Sequence, residues 1–104
     1  MPDAGADGAA PQAACYRLGG RVQGVGMRAW LRRQALARGL AGWARNESDG
    51  TVTAVFVGPP APLAQVADWI GAGPPGAAVR QVEELPAEAA GEAARAAAGF
   101  AILG

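Results

Sequence analysis

The side chains and backbone best equipped for chemistry lie together in Gly20-Arg21-Val22-Gln23-Gly24-Val25-Gly26-Met27-Arg28. An apolar, strand-like run leads into this stretch, and an amphipathic helical pattern leads out of it. Glycines let successive backbone N–H groups turn toward a common point, which makes a concave nest for an anion. A helix N-terminus adds unpaired donors and the positive end of a dipole at the same place. Arg28, at the start of the predicted helix, brings a planar fork of donors that suits phosphate oxygens. The same residues also describe a tight strand-to-helix turn with a surface arginine, so the rest of the chain has to separate the two readings.

The inventory of reactive groups narrows the chemistry. The chain has no histidine and no lysine, and Ser48 and Cys15 are its only serine and cysteine. A Ser-His-Asp triad, a Cys-His pair, a lysine Schiff base and a histidine metal site are all excluded. Cys15 falls in a predicted strand and reads as a buried structural thiol. A single cysteine cannot form an internal disulfide, so a reducing compartment is expected. An enzyme made from these residues works through fixed donors and positioning and not through covalent catalysis, and the expectation is that it uses no metal and no cofactor.

Length and charge set the remaining bounds. The 104 residues make one small domain, and the formal net charge of zero argues against a nucleic-acid partner held by a basic face. Residues 1–13, rich in Ala, Gly and Asp, lack the basic and apolar regions of a signal peptide and read as a disordered tail. No apolar run approaches the roughly 20 residues of a membrane span. The expectation is a cytoplasmic monomer with its working domain in residues 14–104.

The elements that must position the glycine-rich stretch follow from periodicity. Residues 15–21 read as a first strand. Met27, Trp30, Leu31 and Ala35 recur at helical spacing, with Arg32 and Arg33 toward solvent and a stop at Gly39. Residues 40–46 and 51–57 read as strands joined by the turn Glu47-Ser48-Asp49-Gly50, where Asp-Gly is a strong hairpin signal. Val52, Ala54 and Phe56 share the expected core face. Leu63, Val66, Ala67 and Ile70 form the stripe of a second helix, flanked by Trp69. Residues 79–85 read as a fourth strand whose poor alternation fits a bulge or an edge position. Residues 88–98 read as a loop, and residues 100–103 as a short last strand. The order βαββαβ plus a short strand is an α+β, ferredoxin-like α/β sandwich: an antiparallel sheet with two helices on one face.

The run Gly20 to Arg28 (GRVQGVGMR), followed by Gly39 to Asn46 (GLAGWARN) and by Asp49-Gly50-Thr51-Val52, resembles the acylphosphatase signature. The Gly58-Pro59 ending, the Trp69 helix and the closing Gly99-Phe100 match as well. The resemblance implies the same ferredoxin-like fold and the metal-free hydrolysis of carboxyl-phosphate anhydrides, and a cradle that recognises a tetrahedral anion should be inhibited by inorganic phosphate and sulfate. It assigns the family's catalytic arginine to Arg28 and its catalytic asparagine to Asn46. It assigns the phosphate cradle to Gln23, Gly24, Val25, Gly26, Met27 and Arg28. Met27 stands where the family usually has phenylalanine, a softer side chain beneath the loop. An acyl phosphate is an activated anhydride, so binding its phosphoryl oxygens and positioning a water is sufficient chemistry. Asn46 can hold that water with one acceptor and two donors, although an asparagine there also commonly opens a turn.

Other readings carry less. Gly24-Val25-Gly26-Met27-Arg28-Ala29 fits a dinucleotide-binding fingerprint, but the following strands form a tight hairpin and not a parallel crossover. A Walker-type loop fails for want of lysine. The rival in a different class is a non-catalytic anion-binding or regulatory module on the same fold. A related domain occurs within large hydrogenase-maturation carbamoyltransferases.

Overall fold

The computed structural model describes residues 12–86 and 99–104. Five strands, β1 (Gln12–Arg21), β2 (Ala41–Asn46), β3 (Val52–Gly58), β4 (Ala78–Leu85) and β5 (Phe100–Leu103), make one sheet in the order β4-β1-β3-β2-β5. The four strands β4-β1-β3-β2 are antiparallel to their neighbours. Helix α1 (Met27–Ala37) and the short helices α2 (Pro60–Ala64) and α3 (Val66–Trp69) complete the ferredoxin-like pattern. Residues 1–11 of the expected tail and the alanine-rich segment 88–98 lie outside the described residues.

The core forms where the apolar stripes meet. Val52, Ala54 and Phe56 of β3 join Tyr16 and Leu18 of β1 with Met27, Leu31 and Ala35 of α1 and Leu63, Val66 and Ile70 beyond β3. Phe56 stands at the centre, with its ring centroid 6.2 Å from Tyr16, 5.6 Å from Trp69 and 5.8 Å from Phe100. The edge-on contacts with Tyr16 and Trp69 and the tilted one with Phe100 add a little to the large gain from burying each ring. The turn after α1 closes as expected at Gly39: Leu40 N–H reaches the Ala35 carbonyl at 2.8 Å and Gly39 N–H that of Leu36 at 3.2 Å. This paired pattern satisfies the orphan carbonyls at a helix end.

Several details depart from the sequence expectation. β1 begins at Gln12, so Gln12 and Ala13, expected in the tail, pair with Gly58 and Val57. β5 runs parallel to β2, which makes the sheet mixed and not wholly antiparallel. β4 and β2 run in opposite directions, so β5, lying beside β2 at the other edge of the sheet, is antiparallel to β4. The second helix is broken at Gln65, whose N–H bonds the Pro62 carbonyl three residues back, as Asp68 N–H does to Gln65. The tightened turn leaves Ala67 exposed, whereas Leu63, Val66 and Ile70 keep the buried stripe. β4 has both features offered for its poor alternation. It lies at the edge, and its register against β1 slips between Gly19 and Gly20, leaving Arg80 as the extra residue.

β3 is buried on both faces, because Cys15, Val55 and Val57 form a second small cluster with the half-buried Trp43 and Leu85 behind the sheet. Cys15 is buried, and desolvation raises its thiol pKa above the ordinary range, against the pull of Arg45 and Arg17. This is the structural thiol expected from the sequence.

The β2–β3 pairing depends on Gly42. Its φ is 141°, and a Cβ there would meet the Val55 carbonyl oxygen at 1.8 Å. No flexible side chain can relieve a clash with backbone. Gly42→Ala should therefore destabilise the fold by at least about 3 kcal/mol, read by urea unfolding, because it separates the strand carrying Asn46 from the central strand.

Candidate active site

The loop between β1 and α1 takes its shape from two left-handed residues, Gly24 at φ 74° and Gly26 at φ 79°. Nothing lies within 4 Å of a Cβ built on either one. Backbone conformation, and not crowding, is therefore what calls for glycine here. Gly26 is the N-cap of α1, with no side chain capping the helix. The first bond into the helix runs from Trp30 N–H to the Gly26 carbonyl at 3.0 Å. Among the described residues, the N–H groups of residues 27–29 meet no backbone acceptor. Unpaired donors and the positive end of the helix dipole thus converge on one place.

That place is a cavity of about 170 Å³, lined by Gly24, Gly26, Met27, Arg28 and Asn46. The Arg28 side chain is tethered there by Nη1, which donates to the carbonyls of Leu103 and Gly104 at 3.0 Å each. One turn later, Arg32 Nε donates to the Phe100 carbonyl at 3.2 Å. Residues four apart share a helix face, so the two arginines staple α1 to the β5 edge. A guanidinium has five N–H donors. Among the described residues, only Nη1 of Arg28 has an acceptor, which leaves the Nη2 and Nε donors for an anion.

Asn46 ends β2, paired with Val52, and reaches the cavity from the other side. The turn beyond it is held by Glu47 N–H to the Thr51 carbonyl at 2.8 Å and Gly50 N–H to the Glu47 carbonyl at 3.2 Å. Gln23 Nε2 donates to the Glu47 carbonyl at 2.8 Å and the Thr51 carbonyl at 2.9 Å. Asp49 Oδ1 accepts from the Thr51 hydroxyl at 2.7 Å and from its N–H at 3.0 Å, and these bonds hold the carboxyl below its ordinary pKa. Glu47 is also lowered, first by a hydrogen bond from Thr53 and then by Arg45, whose Nε lies 3.0 Å from Oε2. Both acids of the turn are therefore ionised at neutral pH.

The sequence matches the acylphosphatase family over residues 14–102. The chain belongs to the acylphosphatase family. An acylphosphatase of Rhizobium meliloti (strain 1021) is 47% identical over 91 residues, which is 88% of this chain and 92% of that protein. The acylphosphatase structure from Coxiella burnetii superposes with a TM-score of 0.74 at 29% identity, covering 90% of this chain and 94% of that one. Full-length HypF in its phosphate- and nucleotide-bound form contains a similar unit, with a TM-score of 0.64 and 25% identity. That match covers 90% of this chain and 12% of HypF.

The structure brings five of the seven site residues expected from the resemblance to one cavity. Gly24, Gly26, Met27, Arg28 and Asn46 line it, but Gln23 and Val25 do not. Val25 packs against the core, and the Gln23 side-chain amide is turned to the hairpin. Met27 is 2% exposed, so its side chain fills the core beneath the loop, and a Cβ added at Gly73 would come within 3.3 Å of its terminal methyl. Sequence reasoning missed Val22, Ala29 and Ile102 in the cavity wall and the Leu103 and Gly104 backbone oxygens on Arg28. Backbone acceptors leave no mark in a sequence, and Ile102 could have been found only from the register of β5 against β2.

Replacing Arg28 removes the one cationic fork of the cavity. Arg28→Ala should lower turnover of an acyl phosphate by about 10²-fold or more, the usual cost of a lost transition-state donor. Arg28→Lys should not restore it, because an ammonium on a flexible stem cannot hold the Leu103 and Gly104 backbone oxygens and an anion in one plane. Steady-state kinetics on benzoyl phosphate give the comparison.

Proposed function

We propose that this chain cleaves the carboxyl-phosphate anhydride of acyl phosphates, with the backbone N–H groups of the cradle and Arg28 binding the phosphoryl group and Asn46 holding the attacking water. The observation that carries the reading is the meeting of Gly24, Gly26, Arg28 and Asn46 on one cavity. The non-bridging oxygens of a phosphoryl group carry the charge that helix-start donors and a guanidinium stabilise. The water oxygen bonds to phosphorus as the bond from phosphorus to the acyl oxygen breaks, and the water's protons end on the phosphoryl oxygens, from which one passes to solvent. The electron pair leaves on a carboxylate, a weak base that needs no general acid. The products are a carboxylate and inorganic phosphate. Free phosphate and sulfate compete for the cradle because it recognises the tetrahedral anion.

A metal is not required for this chemistry, since the positive charge that the step needs is supplied by Arg28 and the dipole of α1. We read the protein as a cytoplasmic monomer: its one cysteine is a buried thiol and both sides of the cavity come from one chain. No described helix is long and apolar enough to cross a membrane. A net charge of zero supports the absence of a nucleic-acid partner.

The alternative to a positioned water is a general base in the turn. Glu47 and Asp49 both have pKa values pushed down, so neither changes charge near neutrality. The chain has no histidine to titrate there. kcat should therefore be nearly flat from about pH 5 to pH 8. Asn46→Ala and Asn46→Asp should nearly abolish turnover, the aspartate because it puts a negative charge beside the phosphoryl site. Glu47→Gln and Asp49→Asn should stay within a few-fold of the parent. A basic limb near neutrality that disappears in one of these amide variants would move the catalytic role to that carboxylate.

A further inference from the structure

We infer that Gln23 is a positioning residue that sets Asn46 against the phosphate cradle, and that its side chain is not a ligand of the phosphoryl group. The inference rests on the function proposed above and deepens it. Gln23 precedes Gly24, so its backbone belongs to the loop, but its side chain crosses to the hairpin that follows Asn46. Both Nε2 hydrogens are used, one on the Glu47 carbonyl at 2.8 Å and one on the Thr51 carbonyl at 2.9 Å. These two carbonyls stand on opposite sides of the turn, at its neck, where Glu47 N–H already bonds to Thr51. The amide therefore clamps the neck and ties it to the loop at once.

The Glu47 carbonyl is one residue from Asn46, so a shift of this clamp moves Asn46 directly. Among the described residues, these are the only side-chain hydrogen bonds between the loop and the hairpin. The cavity wall on the loop side is set by Gly24, Gly26 and Arg28, which do not depend on the clamp. Gln23 itself is partly buried and does not line the cavity. This amide is thus the side-chain tie between the cradle loop and the hairpin that follows the water holder, beside the backbone link through β5. Misplacing a catalytic group by about 1 Å can cost on the order of 10²-fold, because the reacting atoms no longer meet in line.

The experiment compares Gln23→Glu and Gln23→Met with Asn46→Ala, using benzoyl phosphate hydrolysis and competitive inhibition by inorganic phosphate. Glutamate keeps the shape but sets a carboxylate against two carbonyl oxygens, and methionine keeps the bulk without donors. Each variant should lower kcat by about 10-fold or more while the phosphate inhibition constant stays within about two-fold of the parent. Gln23→Met combined with Asn46→Ala should lose no more than Asn46→Ala alone, as expected for a residue acting through Asn46. The Gln23→Glu rate should rise toward pH 5, where a protonated carboxyl regains one donor and the parent stays flat. If Gln23→Glu does not fold by circular dichroism, Gln23→Met carries the same comparison. Parent-like kcat in the folded variants overturns the inference and leaves the proposed function standing. A phosphate inhibition constant that rises in step with the loss of kcat makes Gln23 a ligand and also overturns it. Parent-like activity in Asn46→Ala overturns both.

Discussion

The site depends on one constraint: the unpaired N–H groups at the start of α1 have to be held open, in a fixed direction, beside the end of β2. A side-chain cap would stabilise the helix by about 1 kcal/mol, but it would fill the place where an anion binds. Gly26 leaves that place clear, and its left-handed conformation brings the chain into the helix without a capping side chain. In the proposed mechanism the donors gain their partners when the phosphoryl group arrives, and preorganised donors favour developing charge strongly.

Such a start of a helix is stable only if the rest of the molecule fixes it. Met27 and Leu31, 2% and 0% exposed, pin the first turns of α1 to the sheet, while Arg28 and Arg32 hold its other side to the β5 carbonyls. β5 lies beside β2 with Ala44 opposite Ile102 and Arg45 opposite Leu103. A Cβ on Gly104 would sit 3.5 Å from the Asn46 carbonyl oxygen. The last strand therefore links the arginine to the asparagine at the level of backbone. A small edge strand, with Ile102 and Leu103 exposed, has its reason here more than in burial.

The shape of the loop was legible because it follows local rules: glycines with left-handed geometry between a strand and a helix, and an arginine at the helix start. The hairpin was legible for the same reason, through Asp49-Gly50. Asn46 was different, since an asparagine before a turn has a common local explanation, and its place in the site came from resemblance to a family. Gln23 was placed in the cradle by its neighbours, but its partners lie 24 and 28 residues further on, and no local pattern encodes them. The direction of β5 and the break at Gln65 depended on long-range pairing with β2 and on a tightened turn, neither visible in periodicity. The second buried face of β3 was passed over, although the unbroken run Val52-Thr53-Ala54-Val55-Phe56-Val57 is what a strand covered on both sides looks like.

The central claim is that backbone donors at the start of α1 bind the phosphoryl group, and amide resonances report on them one by one. Titrating the ¹⁵N-labelled protein with inorganic phosphate should move the amides of residues 24–29 furthest, downfield and along one saturable curve, as hydrogen bonds to an anion form. The amides of the β4 edge, at the far side of the sheet from Asn46, should stay nearly still. A titration in which the loop amides do not respond, while phosphate still inhibits hydrolysis competitively, would contradict the account.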